Sequence, residues 1–554
     1  MEKRLLLAFV LSALIFAAWS VIFPPPAPPV AEVGKATAID ETAVVVESPT
    51  PVLVAADAAT DEVAEEVAED TVAEAISGET EEIIRLRNDV VEVELSNRGA
   101  LVTAMRLLRF DDDEGEILDL VQSVPAEGDA KPLQLVAEDG LDSRLYRVER
   151  TGDTVAMTWS DGRGSAVYKT IELGAGYGLD VAVRSTGTLA KAAISAGTGL
   201  RNLGEQEQNS RLAVWGDGVV LADGELEKFK KAKVKAPVVL RPGALAYAGL
   251  EDAYFINLLR PMTRVEEIRI DRLEFTEAGD PTEEPKVNQA LRVLLVPSSG
   301  VFEGELLGAP KEYKLLESIG GGVEKTLDLG IFGVISVFFL KALWWIYSLV
   351  GNYGVAIILL TVGIRIVLFP LMHTSTVSMR KMAKVQPKVK EIQAKYKKKK
   401  SDPQARAKMS QETMALYKEE GVNPMAGCLP VLVQLPILWA LDQLFLHAIE
   451  LRHAPFMLWI TDLSAKDPYF VTPILMTATM WLQQKLAPQA GDPQQQKIMR
   501  MLPLVFGIMF LQFPSGLVLY WLTNNVISIL QQEITLFIIG ERKYLGRSGG
   551  RKSK

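Results

Sequence analysis

Apolar and polar residues follow three different patterns along this chain of 554 residues. An apolar run at 5–23 comes first, short alternating segments fill 83–327, and long apolar stretches fill most of 351–540. An apolar run of about 20 residues is long enough to cross a bilayer, whereas alternation with period two is typical of half-buried strands. The pattern therefore predicts a multi-pass α-helical membrane protein that carries a large β domain.

The first apolar run is 19 residues long and follows Lys3 and Arg4. Cleaved signal peptides have apolar cores of about 7–15 residues and a small-x-small cleavage site. This run ends instead in three prolines, 24–26. We therefore predict an uncleaved signal anchor at 1–23 in preference to a signal peptide. The basic residues before it place the N-terminus in the cytoplasm.

The segment after the anchor, 24–82, is acidic and contains no aromatic residue. Its part from Ala31 to Glu82 holds 15 Asp and Glu against one Lys. Such a composition buries too little apolar surface to offset the entropy lost on ordering. We therefore predict a flexible linker in the periplasm.

Residues 83–327 carry the alternating pattern. Val91, Val93 and Leu95 would lie on one face of a strand, and similar alternation recurs at 155–159 and 179–183. Repeated short strands between Gly, Asn and Asp turns indicate an antiparallel β-sandwich. Because this domain follows a span that starts in the cytoplasm, we expect it in the periplasm. The glycines at 174–178 do not match a dinucleotide fingerprint and predict a turn.

The next apolar stretch, 328–350, has Lys341 in its middle and Trp344 near its end. Lysine and tryptophan favour the membrane interface over the hydrocarbon. We predict an interfacial amphipathic helix here, with a membrane-spanning helix as the alternative.

Residues 351–540 are expected to form a core of five transmembrane helices, which makes six spans with the anchor. The five lie at about 351–371, 425–448, 468–485, 501–513 and 517–538.

The charge of the connecting segments tests this topology. Residues 372–424 carry a net charge of +8, the tail 541–554 carries +5, and the loop 449–467 carries −1. Basic segments remain on the cytoplasmic side of a membrane. Six spans place both basic segments and both termini in the cytoplasm, so charge and span count agree.

The basic segment 372–424 has the pattern of a helical hairpin. Apolar residues recur at helical spacing from Met379 to Tyr396, and Asp402 followed by Pro403 is a good helix start. Two interpretations stay open. The hairpin is either a topology signal that binds anionic lipid headgroups or a docking arm for a ribosome or targeting particle, which both carry RNA phosphates.

A positive charge lies within the first core span, at Arg365. It either extends to the headgroups or faces a water-filled cavity. Thr361, one turn earlier, Gln434 and Asn524 would also be polar groups within the membrane. Because scattered polar groups are costly in lipid, their presence favours a shared hydrophilic cavity.

The sequence offers no enzymatic chemistry. One cysteine, Cys428, excludes an intramolecular disulfide, and three histidines with one cysteine make a metal site improbable. Asp442 is the lone acid well inside a span, whereas intramembrane aspartyl proteolysis requires two. The protease, hydrolase and nucleotide-binding motifs are absent from the sequence. We expect no cofactor and no enzyme activity.

Several motifs together resemble one family, the YidC/Oxa/Albino-type membrane-protein insertases in their Gram-negative form. They cover about 330–540 in order and with the right spacing. The matching stretches are Gly351-Asn352-Tyr353-Gly354, Arg365 with Pro370, Gln386-Pro387-Lys388, Met414-Ala415-Leu416-Tyr417, Asn423-Pro424, Gly427-Cys428-Leu429-Pro430, Gln434-Leu435-Pro436, Ala454-Pro455-Phe456 and Phe513-Pro514-Ser515-Gly516 with Tyr520-Trp521.

The resemblance implies a function and a site. It implies an insertase and chaperone of the inner membrane, with a five-helix core around a hydrophilic groove open to the cytoplasm. Arg365 would be the charge of the groove, Thr361 and Gln434 would line it, and Tyr520 and Trp521 would contact the client. Asp442 departs from the family pattern.

The resemblance also implies partners. They are nascent membrane-protein clients, the ribosome and signal recognition particle pathway, the Sec translocon and membrane lipids, with no small-molecule substrate. The β domain resembles a mutarotase-like supersandwich. A transporter or lipid scramblase is the competing class, which would require charged substrate-binding pairs and internal repeats. A passive scaffold is a third class.

Overall fold

The computed structural model describes residues 74–137, 140–203, 216–276, 287–396, 402–421, 429–486 and 493–539. The predicted signal anchor and basic tail, and most of the predicted linker, lie outside these residues. The described residues belong to two compact units. One contains residues 391–413, and the other contains 74–390 and 414–539.

The described part of the β domain has nineteen strands, and every pairing between them is antiparallel. They are β1 Ala75–Ile76, β2 Ile83–Arg87, β3 Val91–Ser96, β4 Leu101–Asp111, β5 Ile117–Asp119, β6 Leu135–Val136, β7 Arg147–Thr151, β8 Thr154–Asp161, β9 Ala166–Leu173, β10 Gly178–Ser185, β11 Ala193–Thr198, β12 Asp217–Ala222, β13 Glu225–Phe229, β14 Val238–Leu240, β15 Leu245–Glu251, β16 Phe255–Pro261, β17 Val265–Thr276, β18 Val287–Pro297 and β19 Val301–Pro310.

These strands form three sheets that share one core. The largest runs β1-β8-β9-β10-β19-β16-β15-β12-β13 with β7 beside β8, the second runs β14-β17-β18-β11-β6, and the third runs β2-β3-β4-β5. Leu86, Ile171 and Val293 come one from each sheet and belong to the same buried apolar cluster. Burial of this common cluster holds the sheets together.

The predicted alternation is confirmed in β3. Val91, Val93 and Leu95 are fully buried there, while Glu92 and Glu94 are partly exposed. Each face of the strand meets a different environment because successive side chains point in opposite directions.

Two details of the domain refine the sequence prediction. The glycine-rich 174–178 segment is a turn between β9 and β10, in which the Gly174 amide donates to the Gly178 carbonyl. The first strand, β1, lies inside the segment predicted as linker and pairs with β8. The ordered domain therefore begins before residue 83, because backbone pairing to β8 orders a segment that has few large apolar side chains of its own.

A buried lysine joins parts of the β domain. Lys169 on β9 is almost completely buried, and its Nζ donates to the carbonyl oxygens of Ala100, at 2.5 Å, and Leu133, at 2.6 Å. Burial lowers the pKa of the Lys169 ammonium to about 7. Desolvation disfavours the charged form, and the two carbonyls keep the amine hydrogen-bonded.

This lysine predicts a pH dependence of stability. An unfolded lysine has a pKa of about 10.4. Between pH 7 and 10 the unfolded chain therefore binds a proton that the folded chain lacks, so the free energy of unfolding should rise with pH. Denaturant unfolding in detergent at pH 7 and pH 9 should show this rise in the wild type and a smaller one in Lys169→Met. Lys235→Met, at an exposed lysine, is the control. Equal pH dependence in all three proteins would contradict the prediction.

The described helices follow the β domain. They are α1 Tyr313–Ile319, α2 Gly333–Val350, α3 Tyr353–Lys395, α4 Pro403–Glu419, α5 Leu429–His447, α6 Val471–Leu486, α7 Pro493–Phe510 and α8 Ser515–Ile538. By length and composition α2 and α3 can cross a membrane, and 500–510 is a shorter apolar helix. Since α2 passes this test, its interfacial position stays a prediction.

Helix α3 continues from the predicted first core span into the basic segment, with Pro370 and Pro387 inside it. Pro387 therefore does not end the helix. Helix α4 begins at Pro403, and the Asp402 carboxylate accepts a hydrogen bond from the Gln404 amide at 2.9 Å. That bond satisfies one of the free amide groups at the start of the helix.

Candidate functional site

A cavity of about 360 Å³ lies among helices α3, α5, α6 and α8. Polar side chains from all four helices contribute to its wall, together with apolar side chains of α3 and α5. The lining residues are Arg365, Phe369, Met372, His373, Ser375, Thr376, Met379, Gln434, Leu435, Leu438, Gln483, Ser528, Gln531, Gln532 and Thr535. The described helices thus enclose a space with both polar and apolar side chains in its wall, and its role as the predicted hydrophilic groove stays a prediction.

Arg365 of α3 is the central charged residue of this wall. It is only 6% exposed, and its Nε donates to Asn524 Oδ1 of α8 at 2.7 Å. The Gln531 side chain, also on α8, donates to the Arg365 backbone carbonyl at 2.8 Å. Two polar contacts therefore connect α3 to α8 at the depth of the charge.

The charge of Arg365 is not balanced by a carboxylate. Within the described part of the chain it forms no salt bridge, and the residues that line the cavity include no Asp or Glu. A guanidinium has five N–H donors, and the contact with Asn524 uses one of them. The remaining donors suit carbonyl, carboxylate or water oxygens that enter the cavity.

Two further buried polar groups lie close to the cavity and to each other. Gln434 Oε1 and the Tyr520 hydroxyl do not meet hydrogen-bond geometry with the described residues, although the Gln434 side chain is near enough to interact with the Tyr520 hydroxyl. The Tyr520 ring packs against Phe445, with ring centroids 5.8 Å apart. Because nearly all buried polar groups are hydrogen-bonded, such exceptions suggest a position for water or for a bound chain.

The last helix, α8, presents a polar stripe to the cavity. Asn524, Ser528, Gln531 and Thr535 are separated by four, three and four residues, which puts them on one helical face. The Thr535 hydroxyl lies 3.2 Å from Nδ1 of His373 on α3. Sequence analysis selected only Asn524 from this stripe, although the spacing would have revealed the others.

The predicted site residues do not all meet at the cavity. Arg365 and Gln434 line it, and Asn524 contacts Arg365. Thr361 is 2% exposed, and its hydroxyl donates to the carbonyl of Ile357 in its own helix at 2.7 Å. Trp521 packs edge-on against Phe510, with ring centroids 5.4 Å apart, and is not part of the cavity wall.

Asp442 lies one turn beyond Leu438 on the face of α5 that carries Gln434. Among the described residues it forms no salt bridge. The Tyr520 hydroxyl is within electrostatic reach of both Asp442 and Arg365. A carboxyl group on α5 and a guanidinium on α3 therefore both lie near the Tyr520 hydroxyl.

The chain combines a cavity that contains a buried arginine among apolar helices with an antiparallel β domain. These features define a class of membrane proteins that accommodate polar groups at membrane depth. Two family models match the chain in agreement with this class. The 60Kd inner membrane protein model matches residues 345–540, and the YidC periplasmic domain model matches residues 83–342. The chain belongs to the YidC family of membrane protein insertases, so the resemblance of its motifs is confirmed.

Similar curated proteins agree with this assignment. The membrane protein insertase YidC of Geobacter metallireducens is 34% identical over 96% of this chain and 98% of the relative. That of Syntrophus aciditrophicus is 43% identical over 56% of this chain and 55% of the relative. Family membership does not favour the transporter or scramblase alternative.

Solved structures that are similar to this chain include a YidC insertase and a mutarotase-like protein. A crystal structure of an active YidC insertase with its first transmembrane domain resolved is 19% identical, covers 83% of this chain and 94% of the other, and gives a TM-score of 0.34. A putative mutarotase from Salmonella typhimurium covers 43% of this chain and 97% of the other, with 10% identity and a TM-score of 0.25.

Proposed function

We propose that this protein inserts newly synthesised inner-membrane proteins into the bilayer and helps them fold, alone or with the Sec translocon. The observation that supports this most directly is the Arg365 guanidinium, which has no carboxylate partner among the described residues and lies in a cavity with a polar stripe on α8. Such a site accepts the polar part of many different chains because it offers donors without a shape-specific pocket.

The proposed mechanism requires no chemical step and no cofactor. The polar flank of a client enters the groove from the cytoplasm. Within the groove, Arg365, Gln434 and the α8 stripe replace the water that the flank loses. The apolar segment of the client then moves into lipid, driven by transfer of its apolar surface out of water. The side chains of Met372 and Met379 form a flexible apolar part of the cavity wall that adapts to different clients.

We further propose six spans, with a five-helix core in 351–540, both termini in the cytoplasm and the β domain in the periplasm. The net charges of +8, −1 and +5 on successive connecting segments support this arrangement. Helix α2 would lie in the interface on the periplasmic side. The close succession of α7 and α8 supports the hairpin that this count assigns to 501–538.

The basic hairpin at 372–424 is the proposed contact with the ribosome and the signal recognition particle. Its two helices, the end of α3 and α4, contact each other through Val389, Leu416 and Tyr417, and Lys388 pairs with Glu420. The net charge of +8 on 372–424 suits phosphates of RNA or of lipid headgroups. A defined helical hairpin suits docking to a large partner.

Photo-cross-linking tests the groove. The purified protein is reconstituted in vesicles with a single-span client, and a photoreactive amino acid replaces either Gln531, in the cavity wall, or Leu530, its exposed neighbour on α8. We expect the polar flank of the client to cross-link to position 531 and not to 530. If the client inserts but its polar flank does not cross-link to position 531, that result would contradict the proposed groove. Failure of the wild type to exceed protein-free vesicles would contradict the function itself.

Asp442 is predicted to favour the insertion of clients whose polar flank carries a positive charge. A carboxylate one turn beyond the cavity wall should lower the cost of a lysine in the client flank. Two clients are compared that differ only in whether the flank carries a lysine or an aspartate. Asp442→Asn should lower the ratio of insertion of the lysine client to that of the aspartate client about three-fold, as expected for the loss of one charge at a site that is partly exposed to water. An unchanged ratio would show that Asp442 does not act on clients.

A further inference from the structure

Helix α2 has two apolar faces, and only one of them packs against other described helices. Phe339, Leu340 and Leu343 lie on this packed face and belong to the buried apolar cluster of the helical core. The opposite face is exposed, and its side chains are separated by four, three, four and four residues, which places them on one side of the helix. An exposed apolar face of this kind marks an interaction surface. Its members are Val334, Phe338, Lys341, Trp345 and Leu349.

The exposed face of α2 carries one charge, Lys341, which lies beside a pair of aromatic rings. The Lys341 Nζ is 5.5 Å from the centroid of the Tyr313 ring, at the start of α1. Lys314, the next residue of α1, has its Nζ 4.4 Å from the centroid of the Trp344 ring on α2. The Tyr313 and Trp344 ring centroids are 6.4 Å apart. Both ammonium groups are therefore held at one pair of rings, to which cations are attracted electrostatically.

Neither ammonium group is neutralised by a carboxylate of the described chain. Lys314 and Lys341 are exposed, and they form no salt bridge with the residues that the structure describes. The carboxyl group of Glu450 accepts the Trp344 indole N–H at 3.0 Å, and burial raises the pKa of this carboxyl to about 7. It is therefore only partly ionised at neutral pH. The two lysines keep both charge and N–H donors available for an anion.

One carboxylate does lie beside the aromatic pair. Glu317 of α1 is exposed and accepts a hydrogen bond from the Tyr313 hydroxyl at 3.2 Å. Two cations with one exposed anion are complementary to a ligand that carries both a phosphate and an ammonium group. The headgroup of phosphatidylethanolamine is such a ligand. Phosphatidylglycerol has no ammonium group, and the ammonium group of phosphatidylcholine has no N–H to donate.

We propose that this cluster on α1 and α2 binds the headgroup of one phosphatidylethanolamine molecule. Lys314 and Lys341 donate to the lipid phosphate, and the lipid ammonium donates to Glu317. The acyl chains cover the exposed apolar face of α2, where Phe338 and Trp345 flank Lys341. A lysine with its apolar stem suits this boundary between hydrocarbon and headgroups. The site requires α2 to lie at the membrane surface, but it requires no client, so the inference goes beyond the insertion of proteins.

Photo-cross-linking to a lipid probe tests the site. Full-length protein is reconstituted in phosphatidylcholine vesicles with a small fraction of phosphatidylethanolamine that carries a diazirine close to the glycerol. The readout is the cross-linking to 313–350 that unlabelled phosphatidylethanolamine displaces. Lys314→Gln/Lys341→Gln should lower it about ten- to thirty-fold, because the attraction of two lysines to a lipid phosphate is lost.

Two double variants control for charge and for folding. Lys233→Gln/Lys235→Gln removes two exposed lysines of the β domain and changes the net charge equally, so it should cross-link like the wild type. Lys314→Arg/Lys341→Arg keeps both positive charges and should retain the cross-link. The proposal is overturned if the glutamine pair at 314 and 341 cross-links like the wild type, or if the pair at 233 and 235 loses as much.

Competition between headgroups tests the identity of the lipid. Unlabelled phosphatidylethanolamine should displace the probe at a proportion about two- to five-fold lower than phosphatidylcholine, the range expected for one exposed ion pair. Glu317→Gln should abolish this difference and keep the cross-link that depends on the lysines. Stronger displacement by phosphatidylglycerol would overturn the assignment to phosphatidylethanolamine. Probe attached only outside 313–350 would overturn the site itself. Neither readout depends on client insertion.

Discussion

Replacing Arg365 with alanine is expected to lower insertion of a single-span client with a polar flank about ten- to a hundred-fold, whereas Arg365→Lys should retain most of the activity. A hydrogen bond to a charged group in a poorly solvated site is worth about 1.5–3 kcal/mol. Alanine removes the cation from a cavity whose lining residues carry no carboxylate. Lysine keeps a positive charge but loses the guanidinium geometry that contacts Asn524.

The measurement is insertion into vesicles that contain only the purified protein, with protease protection of the client as readout. Lys235→Ala is the control, since Lys235 is also a cation but is exposed and lies outside the cavity wall. Equal insertion by wild type, alanine and lysine variants would show that Arg365 only extends toward the headgroups. The groove would then act through hydration or through local thinning of the bilayer.

Replacing Glu251 with leucine is expected to destabilise the β domain by about 3–5 kcal/mol, because it leaves a buried ammonium without its counter-charge. Lys311 Nζ lies 2.7 Å from Glu251 Oε2, and these side chains are 5% and 1% exposed. Lys228 Nζ lies 2.9 Å from the other carboxylate oxygen. Both lysines also donate to the Thr326 carbonyl, so the group holds the segment that leads to α2.

Denaturant unfolding of the full chain in detergent measures this effect. The double variant Glu251→Leu/Lys311→Met should recover most of the lost free energy of unfolding, since replacing both partners of a buried pair by apolar groups is often neutral. Lys228 is partly exposed and can turn toward solvent in both variants. A double variant as unstable as the single one would attribute the loss to packing and not to the buried charge.

Local patterns were sufficient for several elements of this fold. Period-two alternation at Val91, Val93 and Leu95 identified a strand and its buried face correctly, because that pattern depends only on the geometry of one strand. The Asp402-Pro403 pair located the start of α4 for the same reason. An arginine within an apolar stretch also pointed to a polar site, since lipid makes an isolated charge costly.

Only the packing of the elements against one another decided which residues are in contact. Helical spacing places Asn524, Ser528, Gln531 and Thr535 on one face, but it does not say that this face meets Arg365. Thr361 was expected in the groove, yet its hydroxyl turns back to its own helix. Trp521 packs on Phe510, beside the site.

The sequence by itself determined the family, the β domain and the presence of an arginine within an apolar stretch, because each follows from local pattern or from motifs in order. The tertiary structure decided the wall of the cavity and the contact between Arg452 and the β domain. That contact joins residues 341 positions apart. The physical reason is that a hydrogen bond of this kind depends on the relative placement of whole elements, which the periodicity of any single element leaves undetermined.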